Sequence, residues 1–315
     1  MAGSTFQTNP IDLDELLKKC HKGEIQLPDF QRSWVWDEDR IKSLIASISR
    51  AFPVGALMSL DTGGPVNFKP RPVEGAPAEA RQTVPQSLLL DGQQRMTSLY
   101  QVTLRGKVVE TVTPKKKRVK RWFYIDIAKA IDPTADREEA VVGVPEDRME
   151  RTDFGREVTL DLSTPTNEYA ALMFPVSQVF NWDTWQDGFN DYWSGDEHKA
   201  VREQFRTFKE DVLKNFSKYR VPVIALDRST SKEAVCVVFE KVNTGGKPLD
   251  AFELVTAMYA ASGHELRKDW YGDEGVKGRY QRLADTLRPA DSDAGILAGV
   301  GNTDFLQAVS LFFTR

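Results

Sequence analysis

The chain of 315 residues is 41% hydrophobic and 28% charged, with a formal net charge of −4. These are the proportions of a globular protein long enough for one large domain or two ordinary ones, and the acidic balance excludes attraction to nucleic acid by overall charge, leaving only local patches. No apolar stretch approaches the roughly 20 residues that a membrane span needs, and the opening "MAGSTFQTNPIDLDELL" has acids where a signal peptide needs a basic flank, so a cytoplasmic protein with no membrane partner is expected.

In chain order, "DLDELLKKC" reads as a helix and "GEIQLPDFQRSWVW" as an extended stretch broken by Pro28. "DEDRIKSLIASISRAF" puts Ile41, Leu44, Ile45 and Ile48 on one helical face, and Pro53 ends it. "VGALMSLDT" and "QSLLLDG" are strand candidates, separated by a stretch rich in Pro and Gly, residues 62 to 87, expected to be a mobile excursion. After Asp91 a helix is predicted with Met96, Leu99, Tyr100 and Leu104 inward, ending at Gly106. Residues 114 to 121, "PKKKRVKR", hold six basic residues in eight and run into the strand-like "RWFYIDI". They read either as a solvated hairpin arm or as a phosphate contact.

Farther on, "EVTLDLS" reads as a strand, and Trp182, Trp185 and Trp193 lie in "FNWDTWQDGFNDYW". Packing under a loop is the commoner use of such residues, base stacking the rarer one. "DEHKAVREQFRTFKEDVLKNFSKYR" is a long helix with Val201, Phe205, Phe208, Val212 and Phe216 as its buried stripe, and "VPVIALD" is a strand. "KEAVCVVFEKV" predicts a helix stopping at "NTGG". Asp250 and Glu253, flanked by Leu249 and Leu254, predict a capping box and staple at the start of "PLDAFELVTAMYAAS". The helical, apolar "TDFLQAVSLFFTR" ends without a stop signal, as if a further domain or partner covered it. The expected fold class is α+β: a small sheet with helices, then a mainly helical second half.

Much chemistry is excluded. Cys20 and Cys236 lie far apart, Cys236 within the apolar run "AVCVVF", so buried thiols are expected. Neither Gly106-Lys107 nor Gly246-Lys247 is followed by Ser or Thr, so a phosphate loop of the Walker type is absent. His21, His198 and His264 lack the neighbours of a zinc site or a Ser-His pair.

The remaining feature is the corner "LLLDGQQRMTSLYQ", where a strand turns into a helix on one acid, one glycine, two glutamines and an arginine. Unpaired amides at a helix start favour an anion. Gly92 lets the backbone approach closely, Arg95 can fork over a phosphate, and Gln93 and Gln94 offer donors and acceptors to a base edge, a ribose or a water. Asp91 is placed to hold Mg²⁺ through water or to orient Arg95. By itself the corner is also an ordinary helix cap. Two stretches add to it: "LPDFQRSWVW", with a second Gln-Arg dyad at Gln31 and Arg32, and "FEKVNTGGKPL", with a Gly-Gly turn before Lys247.

The order "IQLPDFQRSWVWDEDRIKSLIASISRAFPVGAL", "LLLDGQQRMTSL", "VFEKVNTGGKPLDAFEL", spanning residues 25 to 254, resembles the N-terminal domain of GmrSD-type modification-dependent restriction proteins, a relative of the ParB/sulfiredoxin-like fold. The resemblance implies such a domain over residues 1–260, with 261–315 leading to a C-terminal His-Asn-His nuclease domain or a partner subunit. It also implies a nucleoside triphosphatase taking GTP or ATP with Mg²⁺. Its catalytic residues would be Asp91, Gln93, Gln94 and Arg95, with Asp91 as metal ligand. Nucleotide contacts would come from Gln31, Arg32, Gly92, Thr97, Asn243, Thr244, Gly245, Gly246 and Lys247. The implied partner is DNA carrying a phosphorothioate or modified base, met at Lys115, Lys116, Lys117 and Arg118, with a homodimer as an option. No nuclease motif is present, and the cysteine that sulfiredoxin needs in the phosphate turn is missing. The competing expectations are a ParB-like nucleotide-gated DNA clamp with little turnover, and a scaffold whose motifs are vestigial.

Overall fold

The computed structural model describes residues 6–231 other than 30, 32 and 35, and then 234, 235, 238, 256, 266–273, 275–286 and 304. β1 (Phe6–Asp12) leads into α1 (Leu13–Lys22), and β2 (Ile25–Pro28) into an irregular strip ahead of α2 (Glu38–Ser49). β3 (Leu57–Asp61), the short β4 (Pro70–Arg71) and β5 (Ser87–Asp91) follow, then α3 (Gln93–Leu99), prolonged by one wider π-helical turn, Tyr100–Leu104. β6 (Val109–Val112) and β7 (Arg118–Asp126) form a hairpin. α4 (Ile127–Ile131), β8 (Val141–Val144), β9 (Met149–Thr152), β10 (Glu157–Asp161), α5 (Pro165–Ala170), β11 (Met173–Pro175) and α6 (Asp183–Tyr192) come next. α7 (Lys199–Phe208) passes through a second π-helical turn, Lys209–Leu213, into α8 (Lys214–Ser217) and β12 (Arg220–Leu226). Two more helices, Leu266–Tyr271 and Arg279–Thr286, flank a small hairpin of Gly272–Asp273 with Val276–Lys277.

The fold is α+β, with more sheet than the sequence reading foresaw. Six strands form a mixed sheet in the order β1-β12-β3-β5-β2-β4, and β6, β7, β8 and β11 form a second, four-stranded one. β12 runs parallel to β3, and β2 parallel to β5. The helical character expected of the second half therefore begins only after β11.

β5 explains why "LLL" is continuous rather than alternating. Leu89 enters the main core with Leu57 and Met96, while Leu88 and Leu90 pack on the opposite face with Leu60, Val66 and Phe68, so the strand is covered on both sides. The same contacts correct the expected mobile excursion. Residues 62–87 bury Val66, Phe68, Val73 and Ala80 and supply β4 as an edge strand, because four scattered apolar residues suffice to pin a loop whose Pro and Gly suggested freedom.

Where periodicity was clear, burial follows it. Leu13, Leu16, Leu17 and Cys20 form the inner face of α1, which ends at Gly23 in a left-handed conformation. Ile41, Leu44, Ile45 and Ile48 are the buried stripe of α2, and Asp37 caps it by accepting from the Arg40 amide at 3.0 Å. Phe205, Phe208, Val212 and Phe216 are buried along α7, the following turn and α8. Trp185 stacks on Phe189 and meets Phe174 edge-on, so it belongs to this core rather than to a stacking surface. Among the described residues no helix is long and apolar enough to cross a membrane. The expected helices around Cys236, Asp250 and Phe305 lie outside the described residues, as does His264.

Candidate functional site

β5 delivers Asp91 to the corner, and Gly92 turns the chain with a positive φ of 90°. A Cβ at Gly92 would run into Leu57 Cδ2 of β3, so the position is glycine on two counts: dihedral and space. With glycine at the cap, α3 starts without a capping hydrogen bond from its N-cap residue.

Arg95 sits one turn in, and its guanidinium is turned onto the protein. Nη1 donates to the Val54 carbonyl at 2.7 Å, and Nη2 donates to the Ala56 carbonyl at 3.0 Å and to Asp91 Oδ2 at 2.9 Å. Gly55 makes room for this: a Cβ there would lie 2.7 Å from Nη1. The expected fork over a phosphate is thus, in this arrangement, a fork over two backbone carbonyls and a carboxylate. Arg95 fixes the approach to β3 against the start of α3 and orients Asp91.

The first Gln-Arg stretch comes to the same corner. Gln31 Nε2 donates to the carbonyls of Leu89 and Leu90, at 3.0 and 2.9 Å, directly ahead of Asp91. Both amide hydrogens are thereby used, which also settles the orientation of the amide. Its Oε1 is buried with no partner among the described residues. Gln94 Nε2 donates to the Ser33 carbonyl at 3.3 Å, so α3 holds the strip from the other side. Gln93 and Gln94 are 8% and 9% exposed. Thr97 is wholly buried and, like Gln31 Oε1, its Oγ1 is unpartnered among the described residues. Arg32 and the turn of Asn243, Thr244, Gly245, Gly246 and Lys247 lie outside the described residues.

Residues that the sequence reading passed over complete the frame. Arg71, the second residue of β4, donates to the Gln31 carbonyl at 3.1 Å and pairs with Glu74 at 2.9 Å, and Glu74 also accepts from the Trp34 amide. Trp34 Nε1 donates to Ser98 Oγ of α3 at 2.9 Å. Nothing in the spacing of Arg71 or Glu74 marked them.

The strip continues to the basic hairpin. Thr111 Oγ1 of β6 donates to the Trp36 carbonyl at 2.7 Å, and Asp37 bridges to Val112. The hairpin turn is closed by the Thr113 amide on Lys117 O and the Lys116 amide on Thr113 O, with Lys116 at a positive φ of 64°. No ion pair engages the side chains of Lys115, Lys116, Lys117 or Arg118 among the described residues. Lys120, by contrast, pairs with Glu146 and Arg121 with Glu38, each at 3.0 Å. Trp34, Trp36, Lys116 and Arg118 line one cleft of about 940 Å³.

The remaining histidines and thiol are uninvolved. His21 shares a 2.9 Å hydrogen bond with Tyr100 and His198 one of 2.8 Å with the Ser194 carbonyl. Burial pushes the Cys20 thiol up to about 12.

The class of protein is that of restriction-system N-terminal domains: a family model described as GmrSD restriction endonuclease, N-terminal domain, matches residues 13–260. The chain belongs to that family. It is also 28% identical over 269 residues to uncharacterized protein MJ0686 of Methanocaldococcus jannaschii, an alignment covering 82% of this chain and 43% of that protein. The chain therefore spans less than half the length of that relative.

Proposed function

We propose that this domain is the nucleoside triphosphatase and modified-DNA sensor of an antiphage restriction system, acting in the cytoplasm, with nucleotide at the Asp91–Arg95 corner and DNA at the β6–β7 hairpin. The observation that carries this reading is Gln31, whose buried Oε1 lacks a donor among the described residues, beside the carbonyls that end β5. A ribose hydroxyl or an exocyclic amine is such a donor, and a nucleotide base of either kind, in GTP or ATP, provides one.

Gln93 and Gln94 are the neutral groups that would orient a phosphate or the attacking water, and Gly92 would contribute its backbone at the turn. Asp91 would hold Mg²⁺. No group of three or more potential metal ligands exists among the described residues, which suits an ion that takes one carboxylate from the protein and the rest of its shell from phosphates and water. When bound, it would offset the charge on the phosphoryl oxygens. Arg95 acts as a positioning residue that keeps Asp91 aimed. In this reading cleavage of DNA falls to a His-Asn-His nuclease domain elsewhere in the intact protein.

Phosphate release from GTP and from ATP, with Mg²⁺ and with or without phosphorothioate or modified-base DNA, tests the enzymatic half. Asp91→Asn should lower turnover at least tenfold, about 1.4 kcal/mol or more in barrier, with an unchanged melting temperature. Equal turnover by wild type and variant would end it. The commitment of all three Arg95 hydrogen bonds to the protein favours one second reading, a nucleotide-gated DNA clamp. Tight nucleotide binding that changes DNA affinity without phosphate release would select that reading.

A further inference from the structure

The cleft beside the hairpin has a composition that duplex contact alone does not require. Its floor carries the half-buried indoles of Trp34 and Trp36, and its wall is the cationic face of β7 with Lys116 at the turn. Two carboxylates, Glu110 and Glu146, also line it. Glu146 pairs with Lys120, and Glu110 lies opposite the same lysine in the β6–β7 register; with Arg121 taken by Glu38, Lys116, Arg118 and Lys120 face two carboxylates, so the lining stays net positive, and neither Lys116 nor Arg118 has an ion pair among the described residues. The Trp34 indole is held by its Nε1 bond to Ser98 Oγ, and the backbone of the strip is pinned by Glu74 at the Trp34 amide and by Thr111 at the Trp36 carbonyl. Aromatic faces next to cations are what an unstacked base with its flanking phosphates recognises. Backbone contact to a closed duplex needs the cations but has no use for the indoles.

We infer that this cleft accepts a nucleotide swung out of the DNA helix, or one from a single strand, stacking its base on Trp36 while Lys116 and Arg118 hold the adjoining phosphates. The inference rests on the DNA half of the proposed function and adds to it what is read: a base removed from its pair, where a modified base can be felt on all its edges. Volume agrees, since about 940 Å³ lies in the range of sites that enclose a whole small ligand.

Anisotropy titrations of the 315-residue chain with three labelled oligonucleotides test it: a perfect duplex, the same duplex with one mismatched pair, and a thymidine single strand. Wild type should bind the mismatched duplex and the single strand more tightly than the perfect duplex. Trp36→Ala should weaken binding of those two roughly tenfold, within the range known for base–aromatic stacking, and leave the perfect duplex unchanged. Trp36→Phe should restore most of the loss, which separates stacking from misfolding. The double variant Lys116→Glu, Arg118→Glu should weaken all three. If wild type ignores the mismatch and Trp36→Ala changes nothing, the base-stacking inference falls while DNA binding stands. If no oligonucleotide binds, the DNA reading falls with it.

Discussion

At the scale of single residues, the corner turns on Gly92, Gly55 and Arg95. The arginine reaches two carbonyls only because the two glycines leave it room on either side. Gly92→Ala should therefore cost on the order of 2 kcal/mol, combining a left-handed backbone with a clash against Leu57; urea unfolding followed by circular dichroism measures it, and a variant as stable as wild type would show that β3 yields freely. The identity of these residues as a corner was legible, because an apolar run ended by Asp-Gly ahead of a helical pattern has few other forms. The direction in which Arg95 points was not. Its partners are carbonyls of residues 54 and 56, and a backbone acceptor leaves no trace in residue types. The same holds for Gln31: its place in the site followed from resemblance, while its two bonds to β5 and its orphaned oxygen belong to tertiary geometry.

Among elements, α5, α6 and β7 meet at one buried carboxyl. Glu168 accepts from Tyr124 Oη at 3.0 Å and from Trp185 Nε1 at 2.9 Å, with Arg148 3.5 Å away. Burial pushes Glu168 above the usual carboxyl range, against the opposing pull of Trp185, Tyr124 and Arg148. An acid that holds its proton more tightly when folded contributes stability that is complete below the ordinary value, about 4.3, and is lost as pH rises through the folded value. Relative to Glu168→Gln, which cannot ionise, wild type should lose stability as pH is raised from the ordinary carboxyl range toward neutrality. Parallel urea titrations across that interval check the slope, and parallel curves would refute it. Elements with a strong period, α1, α2 and the α7–α8 run, could be read from sequence, since burial of one face dictates the spacing. β1 could not. "FQTNPID" is polar, contains Pro10 and remains largely exposed, yet pairs with β12 over seven residues as an edge strand, where a proline is tolerated.

For the whole molecule, charge is unevenly spread. A net charge of −4 coexists with four consecutive cations, Lys115 to Arg118, that no acid answers among the described residues. If they touch duplex phosphates, each contact adds about 0.9 to the slope of log affinity against log salt. Reversing Lys115 and Lys117 should then flatten that slope and weaken binding to every sequence alike; a slope unchanged from wild type would remove them from the surface. The basic run was visible in the sequence, whereas its proximity to Trp34 and Trp36 was not, because they arrive from a different sheet by way of one irregular strip.

That strip touches both places at once: the Ser33 carbonyl takes a bond from α3, and three residues later Trp36 meets β6. Ser33 itself is exposed, which makes it a natural attachment point for a reporter dye. With Cys236 replaced by serine, a maleimide fluorophore at Ser33→Cys would have little competition from Cys20, which is sealed from solvent and reluctant to become a thiolate. Occupancy of the corner and of the cleft would then be followed as changes in brightness at one position.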